Sequence, residues 1–292
     1  MSLKKLIIGT VQFGTNYGIA NKHGIINKFE QKAILDFAHK KGIDMLDTAI
    51  NYGDSESNLG RCGVSDFNMI TKIPPIPKNV KNVSEWMLQN VKNSLKRLKL
   101  NSLHGVLMHR SENILEHNGE VYRCLRSLKD SGIVKKIGVS IYSPNELERI
   151  ITNTPVDIVQ APINLIDRRL QITGWLKLLK KKKIEIHARS IFLQGLLLMK
   201  QKKMPKKFLR WENLWRKWYS WQDKHSNIDP LHACIGFVNS LTDVDRIIVG
   251  VDSFSQFRDI VEVKKNPKKI NYPNISCNEE KLLYPYNWPK LL

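Results

Sequence analysis

Short apolar segments alternate with longer amphipathic segments from one end of the chain to the other, and this alternation excludes most fold classes. The apolar segments have the length of strands and cover residues 6–10, 45–48, 69–72, 105–109, 136–140, 158–162, 184–190 and 246–250. The stretches with helical spacing between them include residues 30–41, 83–98, 121–131, 144–152, 170–182 and 231–241. Such alternation predicts parallel strands that are joined by right-handed crossovers.

The number of strand–helix units favours a closed barrel over an open sheet, because eight such units form a barrel of about 250 residues as one domain. Hydrophobic residues make up 42% of the 292-residue chain and charged residues 25%, which is typical of a globular protein. We therefore predict an α/β fold, a (β/α)8 TIM barrel that forms a single domain over residues 1–292. Its core covers about residues 6–260, and a Pro- and Asn-rich tail, residues 264–292, wraps the outside.

The chain is strongly basic, with 47 Lys and Arg residues against 27 Asp and Glu residues and a formal net charge of +20. Residues 177–217 alone hold 14 basic side chains and two acidic ones. One interpretation is a surface for an anionic partner, such as a nucleic acid, an acidic membrane or a phosphorylated ligand. The other, which we favour, is a solvated face of the protein.

Residues 199–226 carry four tryptophans, Trp211, Trp215, Trp218 and Trp221, at spacings of four, three and three. This spacing places the four rings on one side of a helix. We favour a helix that packs this aromatic face on the barrel or over its mouth. The alternative is a substrate lid or a partner surface, since large exposed apolar patches usually bind something.

The four cysteines lie far apart, without a Cys-x-x-Cys pair and without a nearby His at zinc-ligand spacing. We therefore predict reduced thiols and no metal site. Gly9, Thr10 and Gln12 interrupt the apolar run near the start before it reaches the length of a signal peptide. No stretch reaches the ~18 consecutive apolar residues of a membrane span. These observations predict a cytoplasmic protein without a membrane partner.

Polar residues lie at the ends of the second, third and fourth predicted strands or in the loop just after: Asp47, Tyr52, Lys72 and His109. The carboxyl ends of barrel strands meet on one face, so these side chains are expected to converge there. A lysine ammonium near a phenol favours phenolate and lowers its pKa from ~10, which makes the phenol a better proton donor. Taken singly, Asp47 also suits a loop-capping carboxylate, Tyr52 suits packing at the barrel rim, Lys72 suits a surface cation and His109 suits a hydrogen-bonded core histidine. Their occurrence together favours an active site.

Several motifs in the same order resemble those of the aldo-keto reductase family. They are Asp47-Thr48-Ala49-Ile50-Asn51-Tyr52-Gly53 with Ser55-Glu56 and Leu59-Gly60, then Thr71-Lys72, residues 94–98 leading to Leu107-Met108-His109, residues 136–140, Gln160, residues 194–197, and residues 248–250 with Gln256. The resemblance covers residues 6 to about 260. It implies an NAD(P)-dependent oxidoreductase in which hydride passes between a nicotinamide cofactor, NADPH or NADH, and the carbonyl carbon of an aldehyde or ketone. By the same resemblance, Tyr52 donates the proton, Lys72 and Asp47 tune it, and His109 orients the carbonyl.

The resemblance also implies cofactor contacts along the barrel mouth. Ser140 and Gln160 would hold the nicotinamide carboxamide, and the loop of Ser190, Leu193 and Gly195 would cover the pyrophosphate. The full set of implied cofactor residues is Thr10, Asp47, Ser140, Gln160, Arg189, Ser190, Leu193, Gly195, Gly250, Ser253 and Gln256, of which the last three would meet the adenosine end. Backbone amides at such a loop and at a helix start suit phosphates.

Three positions depart from the family pattern. Ile141 replaces an Asn that contacts the carboxamide, and Arg189 replaces a tyrosine that stacks on the nicotinamide, although a planar guanidinium also stacks. Asp252 stands where NADPH-preferring members carry a basic or neutral group, and its carboxylate would repel a 2′-phosphate. The choice between NADPH and NADH therefore stays open.

Two other functions stay open beside the reductase. One is a regulatory or sensor protein that binds the cofactor on the same barrel. The second is a basic nucleic-acid-binding protein, which rests only on the net charge and the tryptophans, so we predict no nucleic-acid partner. The expected partner is a small carbonyl substrate, and the basic segment favours an anionic one. The oligomeric state and the substrate itself do not follow from the sequence, because substrate specificity depends on loop shapes.

Overall fold

Eight parallel strands close into a barrel in the computed structural model, which describes residues 2–291. The strands are β1 Leu6–Gly9, β2 Met45–Asp47, β3 Asn68–Ile73, β4 Leu103–Met108, β5 Val134–Ser140, β6 Ile158–Pro162, β7 Glu185–Arg189 and β8 Arg246–Gly250. Each strand pairs in parallel with the next, and β8 pairs with β1 in the register Gly9 to Gly250. The predicted (β/α)8 barrel is confirmed, and every predicted strand overlaps an observed one.

Helices lie between the strands and cover the barrel. They are α1 Lys28–Lys40, α2 Ser55–Cys62, α3 Val83–Leu98, α4 Glu120–Asp130, α5 Leu147–Asn153, α6 Arg169–Ile172, α7 Trp175–Lys181, α8 Glu212–Lys224, α9 Pro230–Ser240, α10 Phe254–Lys265 and α11 Glu280–Leu283. Side chains begin several of them: Asn27 accepts hydrogen bonds from the amides of α1, and Asn82 does so for α3. No helix in residues 2–291 combines the length and apolar character that a membrane crossing requires.

The hydrophobic core has two layers. A small cluster fills the barrel interior: Ile7, Met45, Ile70, Leu107, Ile158 and Ile248. A larger layer lies between the strands and the helices. Gly138 allows β5 and β6 to approach closely, because a Cβ atom there would lie 2.2 Å from the carbonyl oxygen of Ile158. The core therefore fixes the spacing and register that bring the strand ends together.

Two predicted helices differ from the observed ones. Residues 170–182 form α6 and α7 instead of one helix, because Gly174 between them has a left-handed φ of 80°. In the stretch 144–152, a 3-10 turn, Pro144–Glu146, precedes α5. Neither difference moves the strand ends.

The four tryptophans of the segment 199–226 are all buried. Only three lie on α8, since Trp211 ends the preceding 3-10 helix, Lys206–Trp211. The indole nitrogen of Trp215 donates to the carbonyl oxygen of Phe208 at 2.8 Å, and that of Trp221 donates to the carbonyl oxygen of Asn271 at 3.0 Å. The rings thus pack inside the protein, as the favoured interpretation predicts, and offer no exposed aromatic surface.

The C-terminal tail runs along the outside and returns to the barrel mouth. The amide of Cys277 donates to the carbonyl oxygen of Ile166, and Trp288 packs edge-on against Phe208 with ring centroids 4.9 Å apart. Tyr284 and Tyr286 approach Tyr142, which follows strand β5, at centroid distances of 5.4 Å and 5.3 Å. The tail therefore supports one wall of the mouth.

Candidate active site

A cavity of about 710 Å³ opens at the carboxyl ends of the strands. Most of the predicted site residues line it: Thr10, Asp47, Tyr52, His109, Ser140, Gln160, Arg189, Ser190, Gly195, Gly250 and Gln256. Three predicted residues do not. Lys72 is buried beneath the cavity, Leu193 packs into the core, and the hydroxyl of Ser253 accepts a hydrogen bond from the amide of Gln256 at the start of α10.

A buried ion pair forms the floor of the cavity. The Nζ atom of Lys72 lies 2.5 Å from Oδ2 of Asp47 and also donates to the carbonyl oxygen of Thr48 at 3.0 Å. The other carboxylate oxygen of Asp47 accepts from Nε2 of Gln160 at 2.8 Å. Both charged side chains are almost fully buried. Burying two charges is costly, and these hydrogen bonds offset part of that cost.

Tyr52 lies above this ion pair on the loop between β2 and α2. Nζ of Lys72 is 5.2 Å from the centroid of the Tyr52 ring, and the ring of His109 meets that ring edge-on at 5.8 Å. Gly14 makes this loop position possible, because a Cβ atom there would lie 1.9 Å from the carbonyl oxygen of Tyr52. The structure therefore brings together the four residues Asp47, Tyr52, Lys72 and His109.

The pKa of Tyr52 is raised, contrary to the lowered value expected from its lysine neighbour. Burial of the phenol is the largest cause, the charge of Asp47 adds to it, and Arg189 opposes it. The expectation fails because burial penalises the charged phenolate more than the nearby cations favour it, and the carboxylate of Asp47 offsets part of the charge of Lys72. Tyr52 therefore keeps its proton at neutral pH.

The other two titratable groups of the site also respond to burial. Burial, together with the positive charges of Lys72 and Arg189, lowers the pKa of His109 to about 3. The imidazole is therefore neutral at physiological pH. Burial lowers the pKa of Lys72 as well, whereas the charge and the hydrogen bond of Asp47 raise it.

The loop after β7 has a backbone suited to phosphate groups. Ser190, Leu193, Gln194 and Gly195 all have left-handed φ angles, between 47° and 85°. The amides of Ile191 and Phe192 donate to no acceptor within the described part of the chain. Strained turns with free amides of this kind are common anion-binding sites. The loop therefore fits the pyrophosphate of a dinucleotide.

The opposite wall of the cavity is shaped for close contact. A Cβ atom at Gly250 would lie 3.1 Å from the side-chain amide of Gln12, so the absence of a side chain there leaves room for a ligand. The carboxamide of Gln12 donates to Asp252 at 3.3 Å, and its own oxygen is buried without a partner in the described residues. This free acceptor and the open backbone also fit a dinucleotide.

The sequence did not indicate several cavity residues: Tyr17, Gln12, Tyr142, Asp229 and Asp259. Tyr142 could have been found from the sequence, because it comes two residues after the end of β5, close to where the other site residues lie. The hydroxyl of Tyr17 accepts from the amide of Gln194 at 3.0 Å across 177 residues of sequence. No local pattern contains such a contact.

Comparison with known proteins defines the class. The family model described as "Aldo/keto reductase family" matches residues 5–271. The chain therefore belongs to the aldo/keto reductase family, whose members are oxidoreductases that use NADPH or NADH.

The similar curated proteins are distant. The "Uncharacterized oxidoreductase YqkF" of Bacillus subtilis (strain 168) is 27% identical over 179 residues, 58% of each chain. The "Aldo-keto reductase YhdN" of the same organism is 26% identical over 148 residues, 45% of this chain and 43% of that one. The chain thus spans about half the length of the curated relatives it matches.

Solved structures share the fold. The holo form of the aldo-keto reductase AKR11C1 from Bacillus halodurans has a TM-score of 0.72 at 18% identity, over 91% of this chain and 88% of that one. The thermostable aldo-keto reductase Tm1743, in complex with epalrestat, has a TM-score of 0.67 at 19% identity, over 91% of each chain. At these identities the similarity shows the barrel architecture alone.

Proposed function

We propose that this protein reduces an aldehyde or ketone to an alcohol with NADPH or NADH, or catalyses the reverse oxidation. The observation that carries the proposal is the position of the Tyr52 phenol above the buried Lys72–Asp47 ion pair, with the ring of His109 edge-on against it. A phenol that donates a proton, a cation that stabilises the resulting phenolate and a neutral hydrogen-bond donor for a carbonyl oxygen are the groups that carbonyl reduction needs.

The cofactor, when bound, supplies or accepts the hydride. Ser140 and Gln160 would hold its nicotinamide end, the backbone of the loop 190–195 its phosphates, and Gly250 and Gln256 its adenosine end. Thr10 supports this arrangement from below, since its hydroxyl donates to the carbonyl oxygen of Asp47.

Each residue of the site then has a defined task in the reduction. The carbonyl carbon gains the hydride while its oxygen takes the proton from Tyr52, which becomes a phenolate and is reprotonated from solvent. Lys72 stabilises the phenolate, and Asp47 holds Lys72 in place through the 2.5 Å contact. His109 donates a hydrogen bond to the carbonyl oxygen and orients it. Its low pKa keeps it neutral, so it does not compete with Tyr52 as the acid.

Tyr52→Phe tests this proposal. The variant keeps the ring that packs against His109 but removes the proton, so turnover should fall by ~10²-fold or more, the range expected for general acid catalysis. Fluorescence titration with NADPH and NADH should show unchanged cofactor binding. Turnover close to that of the wild type would contradict the role of Tyr52. A wild-type protein that binds the cofactor but turns over nothing in a broad carbonyl panel would instead support the regulatory or sensor function.

The exposed lysines and the free cysteines bear on partners and location. The lysines of residues 177–217 are mostly exposed and do not line the cavity, which supports their assignment to a solvated face outside the proposed active site. All four cysteines are free thiols in the structure, which supports a reducing compartment such as the cytoplasm.

A further inference from the structure

One cation faces the cavity without a counterion. Within residues 2–291, Arg189 is the sole Lys or Arg side chain among the residues that line the cavity. The other charged residues of the lining are carboxylates: Asp47, Asp229, Asp252 and Asp259. Asp47 is already neutralised by Lys72, and no carboxylate in the described chain lies within ion-pair distance of Arg189. Its positive charge is therefore available to a ligand.

The hydrogen bonds of Arg189 leave part of its donor capacity unused. One terminal nitrogen donates to the hydroxyl of Ser190 at 3.1 Å, and the other donates to the carbonyl oxygen of Ile141 at 2.8 Å. The Nε–H group is buried and has no acceptor in the described residues. A guanidinium has five donors, and a planar anion can accept two of them in parallel. An anion in the cavity would thus compensate the charge and accept from the second N–H group of each terminal nitrogen.

Aromatic packing holds this guanidinium in place. Its central carbon lies 4.5 Å from the centroid of the Tyr142 ring. Tyr142 is itself held by Tyr284 and Tyr286 of the tail, and its carbonyl oxygen accepts a hydrogen bond from Arg169. A side chain that is already fixed loses little conformational freedom when it binds a ligand. The arrangement is typical of a preorganised binding group.

Charge is distributed unevenly along the cavity. Arg189 is the last residue of β7 and acts electrostatically on both Tyr52 and His109, so it belongs to the end where the carbonyl group would react. Asp252 and Asp259 belong to the β8–α10 region, and Asp229 begins α9. An anionic small molecule is therefore attracted to the tyrosine end and repelled from the other end.

We propose that Arg189 binds an oxyanion of the substrate, so that the preferred substrates are carbonyl compounds that carry a carboxylate or a phosphate close to the reacting carbon. This inference rests on the proposed reductase function. The lysines of residues 177–217 lie outside the cavity, so we assign the preference for an anionic substrate to Arg189 inside it and not to those lysines. The inference also gives Arg189 a different task from stacking on the nicotinamide.

Matched substrates test the inference. The acid 4-carboxybenzaldehyde and its methyl ester differ in charge but little in size, and glyceraldehyde 3-phosphate and glyceraldehyde form a second pair. In the wild type, kcat/KM should favour at least one of the two anions over its neutral partner. In Arg189→Met this preference should fall by about 10- to 100-fold, mainly through KM, as expected for the loss of a charge-assisted hydrogen bond. Arg189→Lys should restore part of it. The pair that shows the larger effect identifies the anion as carboxylate or phosphate.

A control variant separates Arg189 from the general basic charge. Lys202→Met removes one positive charge from an exposed position outside the cavity and should leave the preference unchanged. An equal loss of preference in Lys202→Met would overturn the inference in favour of long-range attraction. If Arg189→Met lowers kcat/KM equally for the acid and the ester and also weakens NADH and NADPH binding, Arg189 contacts the cofactor instead and the inference is overturned.

Direct binding makes the inference independent of turnover. Calorimetric titration with benzoate should show binding to the wild type and a loss of about 10-fold or more in Arg189→Met. If the wild type reduces no carbonyl compound with either cofactor, the proposed function fails, while benzoate binding still tests Arg189. Equal benzoate affinity in the wild type and the variant would refute the role of Arg189 whatever the enzymatic result.

Discussion

The Lys72–Asp47 pair shows how a single contact sets the chemistry of the site. Two opposite charges are buried in contact, and removing one partner of such a pair leaves an uncompensated charge that costs about 3–5 kcal/mol. A pair of apolar residues would fill the same space at lower cost. The ion pair is therefore poor evidence for stability and better evidence for a functional ammonium group beneath Tyr52.

Lys72→Met separates these two roles. The substitution keeps much of the apolar stem but removes the charge that would stabilise the phenolate, so reduction should slow by ~10²-fold or more. It also leaves Asp47 as a buried carboxylate whose one remaining side-chain hydrogen bond within residues 2–291 comes from Gln160, so the melting temperature should fall. Turnover is measured per folded molecule, on the same preparation as the melting curve.

The double variant Lys72→Met with Asp47→Asn provides the control for charge burial. It removes both charges, so it should recover part of the lost stability while turnover stays low. A purely structural lysine would give the reverse pattern, with reduced stability and nearly normal turnover in the single variant. That result would remove Lys72 from the catalytic residues.

The sequence predicted which of these residues meet but not how they titrate. Asp47, Tyr52, Lys72 and His109 could be grouped because parallel barrel strands end on one face. The predicted direction of the Tyr52 pKa shift was wrong. The shift depends on burial and on the pairing of Lys72, and a sequence motif shows neither. Likewise, that Arg189 has no carboxylate partner among the described residues is visible only once its surroundings are known.

At the scale of elements, strands were easier to predict than helix ends. Most residues of the barrel strands are buried, and the apolar residues among them form short runs that mark the strand positions strongly. Helix boundaries depend on single residues, so Gly174 could divide residues 170–182 without disturbing the apolar spacing. The short helix α2 sits inside a motif whose polar residues hide its helical spacing.

The β8–α10 connection determines the expected cofactor preference. Asp252 of this connection and Asp259 of α10 line the cavity, while Arg258 does not. A carboxylate repels a 2′-phosphate, so NADH should bind comparably to or better than NADPH. Asp252→Arg should shift the preference to NADPH, and Asp252→Asn should shift it less, because it removes a charge without adding the opposite one. Both affinities are measured by cofactor fluorescence. A wild-type preference for NADPH well above tenfold, ~1.4 kcal/mol, would contradict this assignment.

At the scale of the whole molecule, the tail links distant parts of the chain to the site. The family model ends at residue 271, and the tyrosines that support Tyr142 lie beyond it, at 284 and 286. These contacts join residues about 140 positions apart, so no local pattern could predict them. We propose that barrel and tail form a single domain over residues 1–292 that unfolds in one cooperative transition.

Tyr284→Ala tests whether the tail acts on the site as well as on the fold. The ring is buried, contacts Tyr142 and accepts a hydrogen bond from Arg169 through its hydroxyl, so its loss should destabilise the protein by about 3–5 kcal/mol. Because Tyr142 holds Arg189, the preference for 4-carboxybenzaldehyde over its methyl ester should also fall by a few fold. Leu282→Ala is the matched control: it truncates a buried residue of the same tail and leaves the contacts of Tyr284 and Tyr286 with Tyr142 in place. It should lower the melting temperature without changing the preference. Equal changes of preference in both variants would show that the tail acts through global stability alone, and two separate melting transitions in the wild type would contradict the single domain.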